Sequence, residues 1–471
     1  MHRIVHLDLK GAPLKVPYLE KVILCIKSWG ATGVLIEWED TFPYQFEYEV
    51  IGSANRYGGE RMYTMEEVKH ILRFTRMNGL EPIQLVQSIG HLEFLLKHPC
   101  FQGLREDPRS PGSLCPMNPI GRRTILEMIH QIIDVQPDCK YIHIGGDEVF
   151  HYGTCNKCRQ VCDGGGNKTI FMDYIKDLVL CIKANIHKDT TILIWDDMLR
   201  SIDVQTLKSS RLAELVQPVL WYYNPIEHFA IDNNLFDKYS QVFPTIWAGS
   251  AYKGANGSCK MTCDVRRYYS NHVAWLNTIK NKPDVKFSGI ILTGWSRFDH
   301  YATLCELMPV SLSSLANCLL LVKRFCDTTE VSGDISSLNT SEWPGFELAN
   351  LIETYAQVKD KMVNMLNDDH VSTWLNPWQV RCNYTNPVQV EGIYRAANEL
   401  TRYAETLKQN IEIHLKDITD KRTVDEWIYT NCTIPIDKLK SLCETARVRS
   451  IANAGIEPRS TSEFKLEEEF Q

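Results

Sequence analysis

At 471 residues, with 44% hydrophobic and 23% charged side chains, the chain has the make-up of a globular protein, with room for a large barrel and an appended domain. Its 51 basic and 58 acidic residues leave a formal charge of -7 and no basic patch, which argues against nucleic acid as a partner. No stretch reaches the roughly 20 apolar residues of a membrane span.

In chain order, short apolar runs alternate with segments of helical period. The expected strands cover residues 4–9, 33–38, 82–87, 141–144, 191–195, 218–222, 245–248 and 289–293. Between them lie helical stretches such as 18–29, 65–77, 122–135 and 171–186, with apolar residues at three and four spacing. Eight βα repeats predict an α/β fold closed as a (β/α)8 barrel over residues 1–326. An open doubly wound sheet is the runner-up, but no Gly-x-Gly-x-x-Gly turn follows the first strand. Residues 327–345 are rich in Thr, Ser and Gly and read as a linker. Helical periodicity then returns at 346–367, 388–415 and 435–451, so residues 346–471 form a helical C-terminal region whose acidic end is expected to fray.

The first strand begins close to Met1 and carries a charge, so no signal peptide is expected. That implies a reducing compartment, the cytoplasm with the nucleus as a further place, in which most of the 16 cysteines stay free thiols. Cys155, Cys158 and Cys162 form a C-x2-C-x3-C run that could supply three legs of a zinc site, with His151 as a fourth, although free thiols in a loop are the favoured reading.

The fourth strand is the most informative: Tyr141-Ile142-His143-Ile144-Gly145-Gly146-Asp147-Glu148. Aromatic and β-branched residues suit a buried strand, and the two glycines let backbone or ligand approach closely. Asp147 and Glu148 then fall at the strand's C-terminal end, where α/β barrels place their chemistry. An Asp-Glu pair can also cap a helix. The whole string His143-x-Gly145-Gly146-Asp147-Glu148, however, resembles the signature of the family 20 glycoside hydrolases, the exo-acting β-N-acetylhexosaminidases. Further segments occur in order: His6-Leu7-Asp8-Leu9-Lys10-Gly11, Ile36-Glu37-Trp38-Glu39-Asp40, Gly90-His91-Leu92-Glu93, Trp195-Asp196-Asp197-Met198 and Thr293-Gly294-Trp295. Together they look like the intracellular branch of that family.

A sugar site needs carboxylates and cations for hydroxyls, and flat aromatic faces for the apolar C–H faces of the ring. Candidates at the strand ends are Asp8, Lys10, Glu37, Trp38, His91, Trp195, Asp197, Trp221, Trp247, Tyr252, Trp295 and Arg297. The resemblance implies roles for some of them. Tyr252, with Tyr223 in reserve, would steady the substrate acetamido group, Trp295 would floor the pocket, and His91 would support the acid/base carboxylate. His143 reads as a buried residue behind the pair. Two positions depart from the family pattern: Lys10 stands where an Arg fork is usual, and Arg297 where a carboxylate is usual.

The family is among the substrate-assisted exceptions to two-carboxylate catalysis. By resemblance, the substrate's acetamido oxygen attacks C1, an ionised Asp147 stabilises the oxazolinium-like intermediate, and a protonated Glu148 acts as general acid and then base. No metal or organic cofactor is needed. The implied substrate is a glycoconjugate or oligosaccharide with a terminal β-linked N-acetylhexosamine, with a leaning to the galactosamine configuration. A homodimer through the helical region is left open. Two other classes compete: a metal-dependent barrel hydrolase using His6, Asp8, His91, His143 and Asp147 as ligands, and a carbohydrate-binding protein without turnover.

Overall fold

Eight short runs of buried residues pair in parallel and close on themselves: β1 (His2–Asp8), β2 (Gly33–Glu37), β3 (Glu81–Leu85), β4 (Tyr141–His143), β5 (Thr191–Trp195), β6 (Val216–Trp221), β7 (Ile246–Lys253) and β8 (Phe287–Gly294). Each strand pairs with the next, and β8 returns to β1 through His2↔Gly289 to Val5↔Leu292. This computed structural model describes residues 1–52, 63–162, 167–331 and 343–452, without the side chains of 162, 167 and 168. Most of the expected linker at 327–345 and the frayed end lie outside the described residues.

Helices follow the apolar periodicity. Helix Met65–Met77 starts at a capping box in which Thr64 and Glu67 satisfy each other's backbone N–H groups, and it buries Val68, Ile71 and Leu72 at three and four spacing. Helix Pro119–Asp134 starts on the Asn118 side-chain oxygen with Pro at its first position, where a missing N–H costs nothing. No helix among the described residues is long and apolar enough to cross a membrane.

Inside the barrel, Ile4, Leu35, Ile83, Leu85, Leu193, Trp195, Val219, Trp247 and Ile291 form one packed cluster. Each such side chain contributes about 1.5–3 kcal/mol on burial. The layering corrects one expectation about the aromatics. The seventh strand runs on to Lys253 instead of ending at residue 248, so Trp247 lies near its start, stacked on His2 (5.4 Å) and edge-on to Tyr141. Trp247 therefore plugs the end of the barrel opposite the strands' C-termini. The lack of a side chain at Gly249 lets β7 lie against Trp221, whose Cβ would be 2.8 Å from an added Cβ.

The chain divides into two compact units. One comprises Met1–Asn350 with His414–Asp425, and the other Leu351–Ile413 with Glu426–Gln471. In the first, residues 414–425 return to the barrel: Thr419 pairs antiparallel with Leu14, and the Lys15 N–H donates to the Ile418 carbonyl at 2.7 Å. In the second, Leu375, Val390, Ile393 and Ala446 form a small core. There a π-helical turn, Tyr429–Thr433, precedes Pro435. Lacking an N–H, Pro435 cannot bond to the Asn431 carbonyl, which accepts from the Tyr355 hydroxyl instead at 3.3 Å.

Candidate active site

The strand carrying Asp147 and Glu148 ends early, at His143, and the chain beyond it is not extended. Gly145 and Gly146 take φ of 64° and 87°, and Glu148 takes 46°. A Cβ on Gly145 would lie 1.9 Å from Gln87 Oε1 and 3.1 Å from the Gln87 Cα, and with φ at 64° the position favours glycine. Adjacent residues of a continuing strand would point to opposite faces. The left-handed turn instead brings Asp147 and Glu148 to one pocket, where His91 bridges them: its Nε2 lies 3.5 Å from Asp147 Oδ2 and 3.3 Å from Glu148 Oε2. Non-glycine residues with positive φ recur around this point, at Glu39 (48°), His91 (49°) and Glu148, the sort of strain that functional sites hold.

The pocket opens at the C-terminal ends of the strands and has a volume of about 290 Å³, near the small end for ligand sites. Trp221, Tyr223 and Trp295 form aromatic walls, with Trp221 stacked on Tyr223 at 5.1 Å and 23°. Lys10, Gln87 and Arg297 also line it. Beneath, His143, Trp195, Trp295 and His6 make a chain of ring contacts.

Charge in the pocket is unevenly placed. Burial of His91 would lower its pKa, but Asp147 and hydrogen-bonded Glu148 outweigh that and push it up to about 9. Burial raises the Asp147 carboxyl, with His91 opposing it. Part of the burial cost is plain in the hydrogen bonding: Asp147 Oδ1 is buried and has no partner among the described residues. Asp197, after β5, is pushed up to about 7 by burial and by the like charge of Asp147. Its two oxygens accept from the Glu148 N–H (2.9 Å) and the Trp221 indole N–H (3.2 Å).

Several sequence candidates lie behind the pocket rather than in it. Asp8 accepts from the N–H groups of Lys10 (2.9 Å) and Ser296 (2.8 Å), both its oxygens thereby being engaged. Glu37 is fully buried and takes hydrogen bonds from His6 (2.9 Å) and Gln87 (3.3 Å); burial would raise it, but Lys10 and His6 hold it well below the carboxylate range. Trp38 is buried and donates its indole N–H to Gln84. Trp195 is buried within the barrel, its indole N–H without a partner among the described residues. Arg297 does line the pocket, and its guanidinium donates to the carbonyls of Lys10, Gly11 and Ala302.

Tyr252 differs most from its expected place. It is fully buried, and its hydroxyl donates to the His6 carbonyl at 3.0 Å, away from the pocket. Tyr223 lines the pocket in its stead. His143 is buried, accepts at Nδ1 from the Gly145 N–H (3.0 Å), and is held down to about 3 by burial. Glu39, absent from the sequence candidates, is buried 3.6 Å from the Lys10 ammonium and hydrogen-bonded to His300. The acidic run Glu37-Trp38-Glu39-Asp40 held that signal, but nothing local tells which carboxylate meets Lys10.

Of the five residues of the metallohydrolase reading, His6 is engaged by Glu37 and His143 by Gly145, while His91 pairs with Asp147 and with Glu148, which is not among the five. Among the described residues, the group of side chains close enough to share an ion lies elsewhere, at Glu106, Cys115, Cys155 and Cys158. Of the C-x2-C-x3-C run, Cys155 and Cys158 meet Cys115 and Glu106, His151 is not in that group, and the Cys162 side chain lies outside the described residues.

A closed parallel barrel whose strand ends gather two carboxylates, a bridging histidine and aromatic walls has the make-up of a glycoside-cleaving enzyme. The model of glycosyl hydrolase family 20, catalytic domain, matches residues 44–214. Hexosaminidase D of Homo sapiens is 34% identical over 461 residues, covering 94% of this chain and 93% of that protein. Hexosaminidase D of Bos taurus is 39% identical over 320 residues, covering 67% of this chain and 90% of its own. Among solved structures, the β-N-acetylhexosaminidase of Bacteroides fragilis NCTC 9343 is 14% identical with a TM-score of 0.49, over 67% of this chain and 65% of that one. The chain belongs to glycosyl hydrolase family 20 and is a glycoside hydrolase of the β-hexosaminidase type.

Proposed function

We propose that this enzyme removes terminal β-linked N-acetylgalactosamine or N-acetylglucosamine by a retaining, substrate-assisted reaction. The observation that carries the reading is Asp147 Oδ1, a buried carboxylate oxygen with no partner among the described residues, next to a pocket of about 290 Å³. Such an oxygen costs free energy until a donor or cation arrives. The acetamido N–H of a bound sugar is that donor, and the charge that develops as the ring nitrogen becomes oxazolinium strengthens the contact in the transition state.

The acetamido oxygen attacks C1 as the C1–O bond to the leaving group breaks, and Glu148 gives its proton to the departing oxygen. Glu148 then takes a proton from water as the water opens the oxazolinium ring, restoring the acetamide and the β configuration. Tyr223, whose phenol burial keeps protonated, donates to the acetamido oxygen and turns it towards C1. Trp295 and Trp221 pack against the sugar's C–H faces. His91, held protonated by the carboxylates, favours the ionised state of Asp147 that burial opposes. A pocket of this size supports exo-action, one sugar at a time. The family resemblance carried by the sequence motifs leans towards the galactosamine configuration.

The test compares aryl N-acetyl-β-galactosaminide and glucosaminide with their 2-hydroxyl counterparts. The acetamido substrates should turn over and the 2-hydroxyl ones barely, and a thiazoline mimic of the cyclised intermediate should inhibit competitively. A covalent adduct on any carboxylate after treatment with a 2-fluoro sugar, found by mass spectrometry, would overturn the mechanism.

A further inference from the structure

Two loops on the pocket side of the barrel bring together a carboxylate and three thiols that the hydrolytic chemistry does not use. After β3 the chain folds into a small ribbon in which Arg105 bridges antiparallel to Leu114, closed by Glu106 N–H to the Ser113 carbonyl (3.0 Å) and Cys115 N–H to the Leu104 carbonyl (2.9 Å). The ribbon sets Glu106 beside Cys115. After β4, the Cys155 carbonyl accepts from the Arg159 N–H (2.9 Å) as helix Asn156–Cys162 begins. Cys155 and Cys158, three apart, then share one face of its first turn.

Cys115 Sγ lies 3.5 Å from Cys155 Sγ and 3.6 Å from Cys158 Sγ, and Cys158 Sγ lies 3.3 Å from Glu106 Oε2. All four ligand atoms fall within 4.8 Å of one another. Tetrahedral zinc with bonds of ~2.3 Å to sulfur sets neighbouring sulfurs about 3.8 Å apart, so the observed edges need to open by only a few tenths. The second oxygen of Glu106 is tied down by the N–H groups of Thr154 (2.5 Å) and Cys155 (2.8 Å), which aims Oε2 at the sulfurs as outer contacts aim metal-bound carboxylates. Thiols alone would make an ordinary apolar cluster with Ile170. A carboxylate 1% exposed at its centre would not.

We propose that Glu106, Cys115, Cys155 and Cys158 bind a structural zinc ion that fastens the loop after β3 to the loop after β4. Those loops carry His91 and the Asp147–Glu148 pair. Three sulfurs and one oxygen fill a four-coordinate shell, so the ion has no open position for substrate and takes no part in glycoside cleavage. The inference stands apart from the proposed reaction and fails or survives without it.

The test uses the full chain purified under reducing, chelator-free conditions. Elemental analysis should find about one zinc per chain, and chelator-stripped protein refilled with cobalt should show the thiolate charge-transfer and ligand-field bands of a tetrahedral site. Cys115→Ser and Cys158→Ser should each retain less than roughly a tenth of the zinc, while Cys100→Ser, at an exposed thiol elsewhere, should retain it all. Stripping the wild-type chain should lower Tm by roughly 5–10 °C, restored by zinc. Because a serine variant can fail by misfolding, the wild-type metal and cobalt measurements decide. A wild-type chain that takes up no zinc at micromolar free metal would overturn the proposal. So would a Cys115–Cys155 or Cys115–Cys158 disulfide in protein alkylated at lysis.

Discussion

The backbone N–H of Glu148 donates to Asp197 Oδ2 at 2.9 Å, so a carboxylate from the end of β5 holds in place the residue that ends the β4 signature. Glu148 has a left-handed backbone, a conformation that costs about 1 kcal/mol or more without support. Asp197 also accepts from Trp221, tying the proposed acid/base residue to an aromatic wall. Asp197→Ala should lower kcat by roughly 10²-fold through misplacement of Glu148, with a smaller change in KM. Steady-state kinetics beside a thermal melt check this; a loss confined to KM would remove Asp197 from the positioning of Glu148.

His91 should make stability and activity fall on the alkaline side. Its ordinary value is 6.5, and in the folded chain it is pushed up to about 9. The folded state therefore holds a proton that the unfolded chain has released between those values, and the stabilisation is complete below pH 6.5 and gone above 9. The contribution is about 3 kcal/mol at most. Chemical denaturation at about pH 6, 7.5 and 9 should show this decline in the wild type and a flatter profile in His91→Gln.

Glu148→Gln keeps the shape of the proposed acid/base residue and removes the proton it is proposed to transfer. Turnover should fall ~10²–10⁴-fold, least for aryl leaving groups that depart without protonation. Near-normal turnover of an alkyl or sugar leaving group by this variant would end the assignment.

Asp147→Asn should impair both turnover, by ~10²–10³-fold, and binding of a thiazoline, since its Oδ1, without a partner among the described residues, is the proposed partner of the ring nitrogen. Inhibition constants measured alongside kcat check whether the two losses move together.

The tyrosines separate a site residue from a structural one. Tyr223→Phe should raise KM and lower kcat for acetamido substrates. Tyr252→Phe removes a buried hydrogen bond to the His6 carbonyl, costing about 1 kcal/mol of stability while leaving kcat near the wild-type value. Parallel melts and kinetics on both variants decide between them.

The eight strands, their parallel order and the Asp147–Glu148 signature were legible because they are local: a strand shows in its β-branched run, and a glycine pair before two carboxylates shows in four letters. Other features were not, since they depend on how far a strand runs and on what lies across the barrel. Tyr252 and Tyr223 both come after apolar runs, but β7 continues through Lys253 and buries Tyr252, whereas β6 stops at Trp221 and leaves Tyr223 at the pocket. The same length change sent Trp247 to the opposite end of the barrel. Cys115 lies 40 residues before Cys155, and no spacing rule joins them; the loops after β3 and β4 do. Nor does composition reveal that residues 414–425 return to pair with the loop after β1. Local sequence chose the elements and the carboxylate pair at the end of β4, because propensity and backbone freedom act over a few residues. Which side chains face them was decided by barrel closure, since strand register and close packing fix the direction of every side chain at once.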